Sequence, residues 1–171
     1  MGTEIERKFL VKMDAWVPKD AGTHFRQGYL NSQKERVVRV RIEGHVAKLT
    51  IKGLTHGITR REFEYPIPVP DATVLLDHLC EQPLIDKHRH VEQHGGLTWE
   101  IDVFHGDNDG LVLAEVELPS ADTPLTRPAW AGEEVSSDPR YFNSNLLRAS
   151  LPHLDGEVVA RPTRARRRRP P

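Results

Sequence analysis

Charged residues recur at a two-residue spacing along most of this 171-residue chain. Glu4, Glu6 and Lys8 open the series, followed by Arg39 and Arg41, then Lys48 and Lys52 with Thr50 between them. Glu62 and Glu64, Lys87 and Arg89, Glu100 and Asp102, and Glu115 and Glu117 continue it. In a β-strand, residues i and i+2 point to the same side of the sheet, so each set places its charges on one face. The cations suit a polyanion, because Lys neutralises charge and Arg grips two oxygens at once. The carboxylates would repel the same anion unless a hard divalent metal lay between them. Seven such stretches therefore suggest a polar interior that holds a polyanion together with divalent metal.

The elements that must position these groups are strands. Alternation predicts them at about 3–11, 24–31, 36–43, 46–52, 60–69, 84–92, 97–104 and 111–119. Glu43-Gly44-His45 reads as a tight hairpin, and Gly53 to Gly57, Gly95-Gly96 and Gly106 to Gly110 mark longer turns. Such short connections favour antiparallel pairing. Asp71 is the expected cap of a helix over 72–80, and Asp138-Pro139 the expected start of a second one to about residue 151. Residues 120–137 read as loop. With the charged stripe inside, the sheet closes into a barrel, and its apolar outer face must then be covered by helices or by a partner chain. The expected class is α+β, mostly β, and alternation alone also admits an open sheet whose apolar face packs on the helices while its charged face meets water.

Composition sets the bounds. Hydrophobic residues make up 37% and charged residues 29% of the chain, which suits a thin core around a polar interior. Cys80 is the sole cysteine, so an intrachain disulfide and a cysteine zinc cluster are both excluded. The chain carries no apolar run long enough to span a bilayer, and a soluble, cytoplasmic protein is expected. Residues 1–154 read as one domain and residues 155–171 as a disordered Arg/Pro-rich tail. The formal charge of −1 divides into +5 over residues 156–171 and −6 over the rest. Arg7, Arg60, Arg61 and Glu92 read as exterior charges, the histidines as surface groups, and Trp16, Trp99 and Trp130 as packing residues.

Glu4-Ile5-Glu6-Arg7-Lys8 is the ExExK element of the CYTH superfamily, the triphosphate tunnel metalloenzymes. The resemblance extends through Arg26-Gln27-Gly28-Tyr29-Leu30, Arg39-Val40-Arg41, Leu49-Thr50-Ile51-Lys52 and Arg61-Glu62-Phe63-Glu64. It continues through Lys87-His88-Arg89, Glu100-Ile101-Asp102-Val103-Phe104, Glu115-Val116-Glu117 and Asp138-Pro139-Arg140-Tyr141. A single charged pair reads as a solvated strand face, but all of these in order and in phase resemble the short bacterial members of that family.

The resemblance implies a closed eight-stranded antiparallel β-barrel with a charged lumen and a few flanking helices, and hydrolysis of a triphosphate with Mg²⁺ or Mn²⁺. It implies Glu4, Glu6 and Glu117 as metal ligands, with Glu115 near them. Lys8, Arg39, Arg41, Lys48, Lys52, Lys87 and Arg89 would bind substrate. Glu62, Glu64 and Asp102 are candidates to orient water, and Tyr29 would tune Lys8. Inorganic tripolyphosphate is the leading substrate. Thiamine triphosphate, cyclisation of ATP as in the class IV adenylate cyclases, and non-catalytic polyphosphate binding are the alternatives. No membrane partner is expected, nucleic acid would bind only through the Arg tail, and the oligomeric state is left open.

Overall fold

Alternation of charged and apolar residues dictates where strands form, and the computed structural model, which describes residues 2–146, follows that alternation closely. The strands are β1 (Gly2–Val11), β2 (Thr23–Asn31), β3 (Arg36–Glu43), β4 (Val46–Gly53), β5 (Thr59–Ile67), β6 (Ile85–His94), β7 (Leu97–Phe104) and β8 (Val112–Glu117). They pair antiparallel in the order β5-β4-β3-β2-β6-β7-β8-β1, and β1 then pairs with β5 to close the barrel. This is the expected fold.

A ninth strand, β9 (Ala131–Glu134), lies in the segment expected to be loop. Its four residues are too few to show periodicity, and their placement comes from β1. That strand gives one edge to β8. Its other edge pairs with β5 over Gly2–Ile5 and with β9 at Phe9 and Val11. β9 thus satisfies backbone groups of β1 beyond the reach of β5.

The outer face is covered in two places. Helix α1 (Val69–His78) lays Ala72 and Leu76 on Val40, Ala47, Leu49 and Ile42. It starts before the expected Asp71 cap: Pro68 is the N-cap and Pro70 stands in the first turn, where its missing N–H has no helical partner to lose. A second cluster packs Phe9, Trp99, Ile101, Ala114 and Val116 beneath Trp16 and Trp130. Trp99 and Trp130 meet edge to face at 5.4 Å.

One side of one barrel end is filled with apolar residues. Tyr29, Val37, Ile85, Phe104 and Leu113 point inward there and meet Val135, Tyr141 and Leu146. That contact explains why the expected second helix is a single 3₁₀ turn, Pro139–Tyr141, within the described residues. Asp138 does cap it, accepting from the Arg140 N–H at 3.0 Å, but Phe142 is already extended. The remainder of that expected helix, and the whole Arg/Pro-rich tail, lie outside the described residues.

Gly28 shows how tightly the segment that follows α1 is set against β2. A Cβ there would lie 2.6 Å from Leu84 Cδ2 and 2.9 Å from Cys80 Cβ. Gly28→Ala is expected to destabilise the protein by about 1–3 kcal/mol. At Gly53 a Cβ would meet nothing nearer than 3.9 Å. Gly53→Ala should therefore change stability by less than about 0.5 kcal/mol. Urea titration of both variants checks the contrast.

Candidate active site

The lumen is built by phase. On β1, Glu4, Glu6 and Lys8 face in while Phe9 faces the outer core. On β6, Lys87 and Arg89 face in. Lys8, Arg39, Arg41, Lys52, Lys87, Asp102 and Glu115 are all buried. Ionised groups are costly to bury unless paired, and here each has a partner.

Three interlocking ion-pair groups result. Asp102 accepts from Lys87 Nζ at 2.5 Å and from Arg89 Nε and an Arg89 terminal nitrogen at 2.7 Å each. Arg89 also pairs with Glu100 and reaches Glu115 at 3.2 Å. Glu115 in turn holds Lys8 Nζ at 2.8 Å. On the opposite wall, Glu64 meets Lys48 at 3.1 Å, Arg41 at 3.4 Å, Thr50 at 3.2 Å and Arg39 at 3.8 Å. Glu43 binds Arg41 at 3.0 Å and Lys48 at 2.7 Å. Near the β1–β5 seam, Glu4 binds Lys52 at 3.0 Å and Arg60 at 2.7 Å, and Glu62 lies 2.9 Å from Lys52.

These contacts move the titrations apart. Burial opposes ionisation of Glu115 and Asp102, but Lys8, Arg89 and Lys87 outweigh it at the first, and Lys87 and Arg89 at the second. Both carboxyls are held below their usual range. Glu4 is likewise lowered, with burial overcome by Lys52 and Arg60. Glu6 goes the other way: burial, then the Glu115 and Glu4 charges, push it up to about 7. Burial and the neighbouring Glu4 also raise Glu62 against the pull of Lys52. Burial draws the Lys87 ammonium down to about 8, although Asp102 opposes it.

Glu4, Glu6, Lys8, Tyr29, Arg39, Lys52 and Arg60 line one cavity of about 390 Å³. It opens between the β4–β5 hairpin and the segment 136–144, beside the apolar filling of that end. Lys8 is fixed at its edge by the later chain. Its N–H donates to Ser136 Oγ at 2.9 Å and its ammonium to the Tyr141 carbonyl at 3.3 Å. A second recess of about 310 Å³ is lined by Glu4, Glu62, Glu64 and Glu117.

The expected metal ligands are brought together in part. Glu6 and Glu117 stand directly opposite each other across β1 and β8, and Lys8 faces Glu115. Two carboxylates in register repel one another, so the donor chemistry fits a hard divalent cation between them. Glu4 is nearby on the same strand face, with its oxygens turned to Lys52 and Arg60. Among the described residues, no three His, Cys, Asp or Glu groups already converge into a ready-made cage.

Sequence reasoning missed several lumen groups. Arg60 was expected outside, but it lies across from Glu4 and reaches Glu6 at 3.6 Å. Its signal was available, because it precedes Glu62 by two residues and shares its phase. Glu43 follows Arg41 in the same way. Phe25 is an apolar residue in the charged lumen, with the Arg89, Arg41 and Lys87 cations 4.9, 5.2 and 5.7 Å from its ring centre. Among the histidines, His90 is buried against Trp16 and bound to Asp20 at 2.9 Å, contrary to the surface expectation. Arg7 and Glu92 are exterior as expected, held by Glu134 and by Trp16 with Lys19.

No helix among the described residues is long and apolar enough to cross a membrane. The CYTH domain family matches residues 2–149 of the chain. An inorganic triphosphatase of Acetivibrio thermocellus is 49% identical over 148 residues, covering 86% of this chain and 95% of that protein. An inorganic triphosphatase of Nitrosomonas europaea is 38% identical over 151 residues, covering 84% and 96%. The crystal structure of an inorganic triphosphatase superposes with a TM-score of 0.62 at 35% identity, covering 87% of this chain and 97% of its own. The barrel and the charged strands that line it are those of a CYTH domain, and this chain belongs to that family.

Proposed function

We propose that the chain hydrolyses inorganic tripolyphosphate to pyrophosphate and phosphate, with Mg²⁺ or Mn²⁺. The observation that carries this reading is the convergence of buried cations and acidic side chains on one lumen. The names borne by the Acetivibrio and Nitrosomonas relatives support the inorganic substrate.

Phosphoryl transfer needs position and charge stabilisation more than a strong base. Arg39, Arg41, Lys52, Lys87 and Arg89 neutralise the chain, with Lys8 beside them and Lys48 at the half-exposed margin. Glu6, Glu117 and Glu4 are the metal ligands, with Glu115 holding Lys8 next to them. The cation, when bound, would polarise phosphoryl oxygens and offset their charge. Glu62 is the carboxylate that orients water. It lines the same recess as Glu4 and Glu117, whereas both oxygens of Asp102 are committed to Lys87 and Arg89. Glu64 is likewise spent on Lys48, Arg41 and Thr50, which suits a supporting role. Tyr29 lines the cavity beside Lys8 and tunes its surroundings. Water adds to a terminal phosphorus, the phosphoanhydride bond breaks, and pyrophosphate leaves.

Incubation with tripolyphosphate and Mg²⁺ or Mn²⁺ should release phosphate and pyrophosphate in equal amounts. Thiamine triphosphate and ATP, assayed in parallel, should turn over more slowly, and ATP should give no cyclic AMP. Absence of release by folded protein at every pH from about 6 to 10 would sink the reading.

Glu6→Gln is expected to weaken divalent-cation binding and to lower turnover by about 10²-fold or more. Calorimetric titration with Mn²⁺ and steady-state rates test both, and unchanged values would remove Glu6 from the ligand set.

Lys87 generates a pH dependence with a fixed sign. Its folded value lies below that of an ordinary lysine, so it loses its charge as pH rises through about 8. Tripolyphosphate affinity should therefore weaken above that pH, measured as a rising KM. Lys87→Arg keeps a charge at every such pH and should flatten that limb.

A further inference from the structure

Gln27 lies in the middle of β2 and is fully buried, yet neither its amide nitrogen nor its amide oxygen has a hydrogen-bond partner. Its strand neighbours in phase, Phe25 and Tyr29, face the lumen, and its cross-strand partners are Arg41 on β3 and Ile85 on β6. Gly28 faces the other way and sits flush on Leu84, Cys80 and Leu76. The strand cannot retreat outward, so the amide is fixed among the lumen groups.

An unpaired buried amide is costly to leave in a native fold and calls for an explanation. The Nε–H groups of Arg39 and Arg41 are also buried without partners. One terminal nitrogen of each arginine, Nη2, is engaged, with Thr50 and Glu64 for Arg39 and with Glu43 and Glu64 for Arg41. The β2–β3 wall therefore presents three unspent polar groups side by side, two cationic and one neutral.

We propose that Gln27 is a substrate-orienting residue, its amide N–H donating to a non-bridging oxygen of the bound phosphate chain. This rests on the triphosphatase reading above and names a residue that reading leaves unused. The cations supply attraction, but attraction from all sides discriminates little between positions of the chain along the lumen. A neutral donor with fixed direction adds nothing to the charge balance and does select a position. Gln27 sets which phosphorus stands before the attacking water, and its loss should fall on turnover more than on binding.

The test is Gln27→Met, which keeps length and volume and removes both polar atoms. Turnover of tripolyphosphate with Mg²⁺ is expected to fall about tenfold or more, with KM changed by less than about threefold. Thermal stability should stay level or rise, because an unpaired amide has gone. Gln27→Glu keeps the acceptor, removes the donor and adds repulsion, so it should lower turnover and raise KM as well. Wild-type rates within about twofold in Gln27→Met overturn the assignment and leave Gln27 as a water anchor at most. Loss of activity in step with loss of melting temperature also overturns it, since that marks a structural role. A wild-type protein with no turnover would defeat the triphosphatase reading instead. Tripolyphosphate titrated calorimetrically into wild type and Gln27→Met then decides the residue's role: a less favourable binding enthalpy in the variant is expected, and an unchanged enthalpy would reject it.

Discussion

Every charge inside the barrel must be answered by another charge, and the rest of the structure follows from that requirement. Asp102 and Glu115 are buried carboxylates that would be intolerable alone. They are stable because Lys87, Arg89 and Lys8 reach them from neighbouring strands. The pairs run across strands, so they hold only while the strands keep register. A slip of one residue on β1, β6 or β8 would turn charges outward and the Phe9 and Ala114 core inward. Ionic pairing and the outer apolar clusters thus specify the same register from opposite faces of one sheet.

The same requirement separates groups by how firmly they are held. Asp102 and Glu115 are kept ionised by close cations and act as fixed struts. Burial, and then neighbouring carboxylates, raise both Glu6 and Glu62. The acidic groups with the least cationic support gather near β1, β5 and β8, and the cations gather on β3, β4 and β6. A lumen sorted in this way suits the function proposed above, with phosphate oxygens along one wall and a hard cation along the other.

Most of this was legible as period-two alternation. The eight barrel strands, their order of charge and the common face shared by Glu4, Glu6 and Lys8, by Arg39 and Arg41, and by Lys87 and Arg89 follow from spacing alone. Closure of the barrel came from the resemblance to a family, because alternation does not say whether a charged face is inside or outside. Arg60 was misread as exterior although its phase with Glu62 placed it inside. β9 was illegible, since Ala131–Glu134 is a strand only because β1 offers an unpaired edge. The second helix failed because Tyr141 and Leu146 are drawn into the barrel end, a tertiary contact that local capping signals at Asp138 do not report. Partner choices within the lumen, such as Lys52 with Glu4 or Lys8 with Glu115, depend on distances across the closed barrel and have no sequence signature.

β1 has an unusual place in the order of assembly. It emerges first during synthesis, yet it hydrogen-bonds to β5, β8 and β9 and to no strand adjacent in the chain. The hairpins β3–β4, β4–β5 and β6–β7 can form from local sequence. The leading strand, with two carboxylates and two cations, cannot complete its pairing until β8 and β9, at the far end of the domain, have been made. Its alternating Glu and Lys residues keep that waiting edge hydrophilic and poorly suited to joining a neighbouring chain. The charged side chains that line the lumen are thus the same ones that keep this edge hydrophilic before the ring shuts.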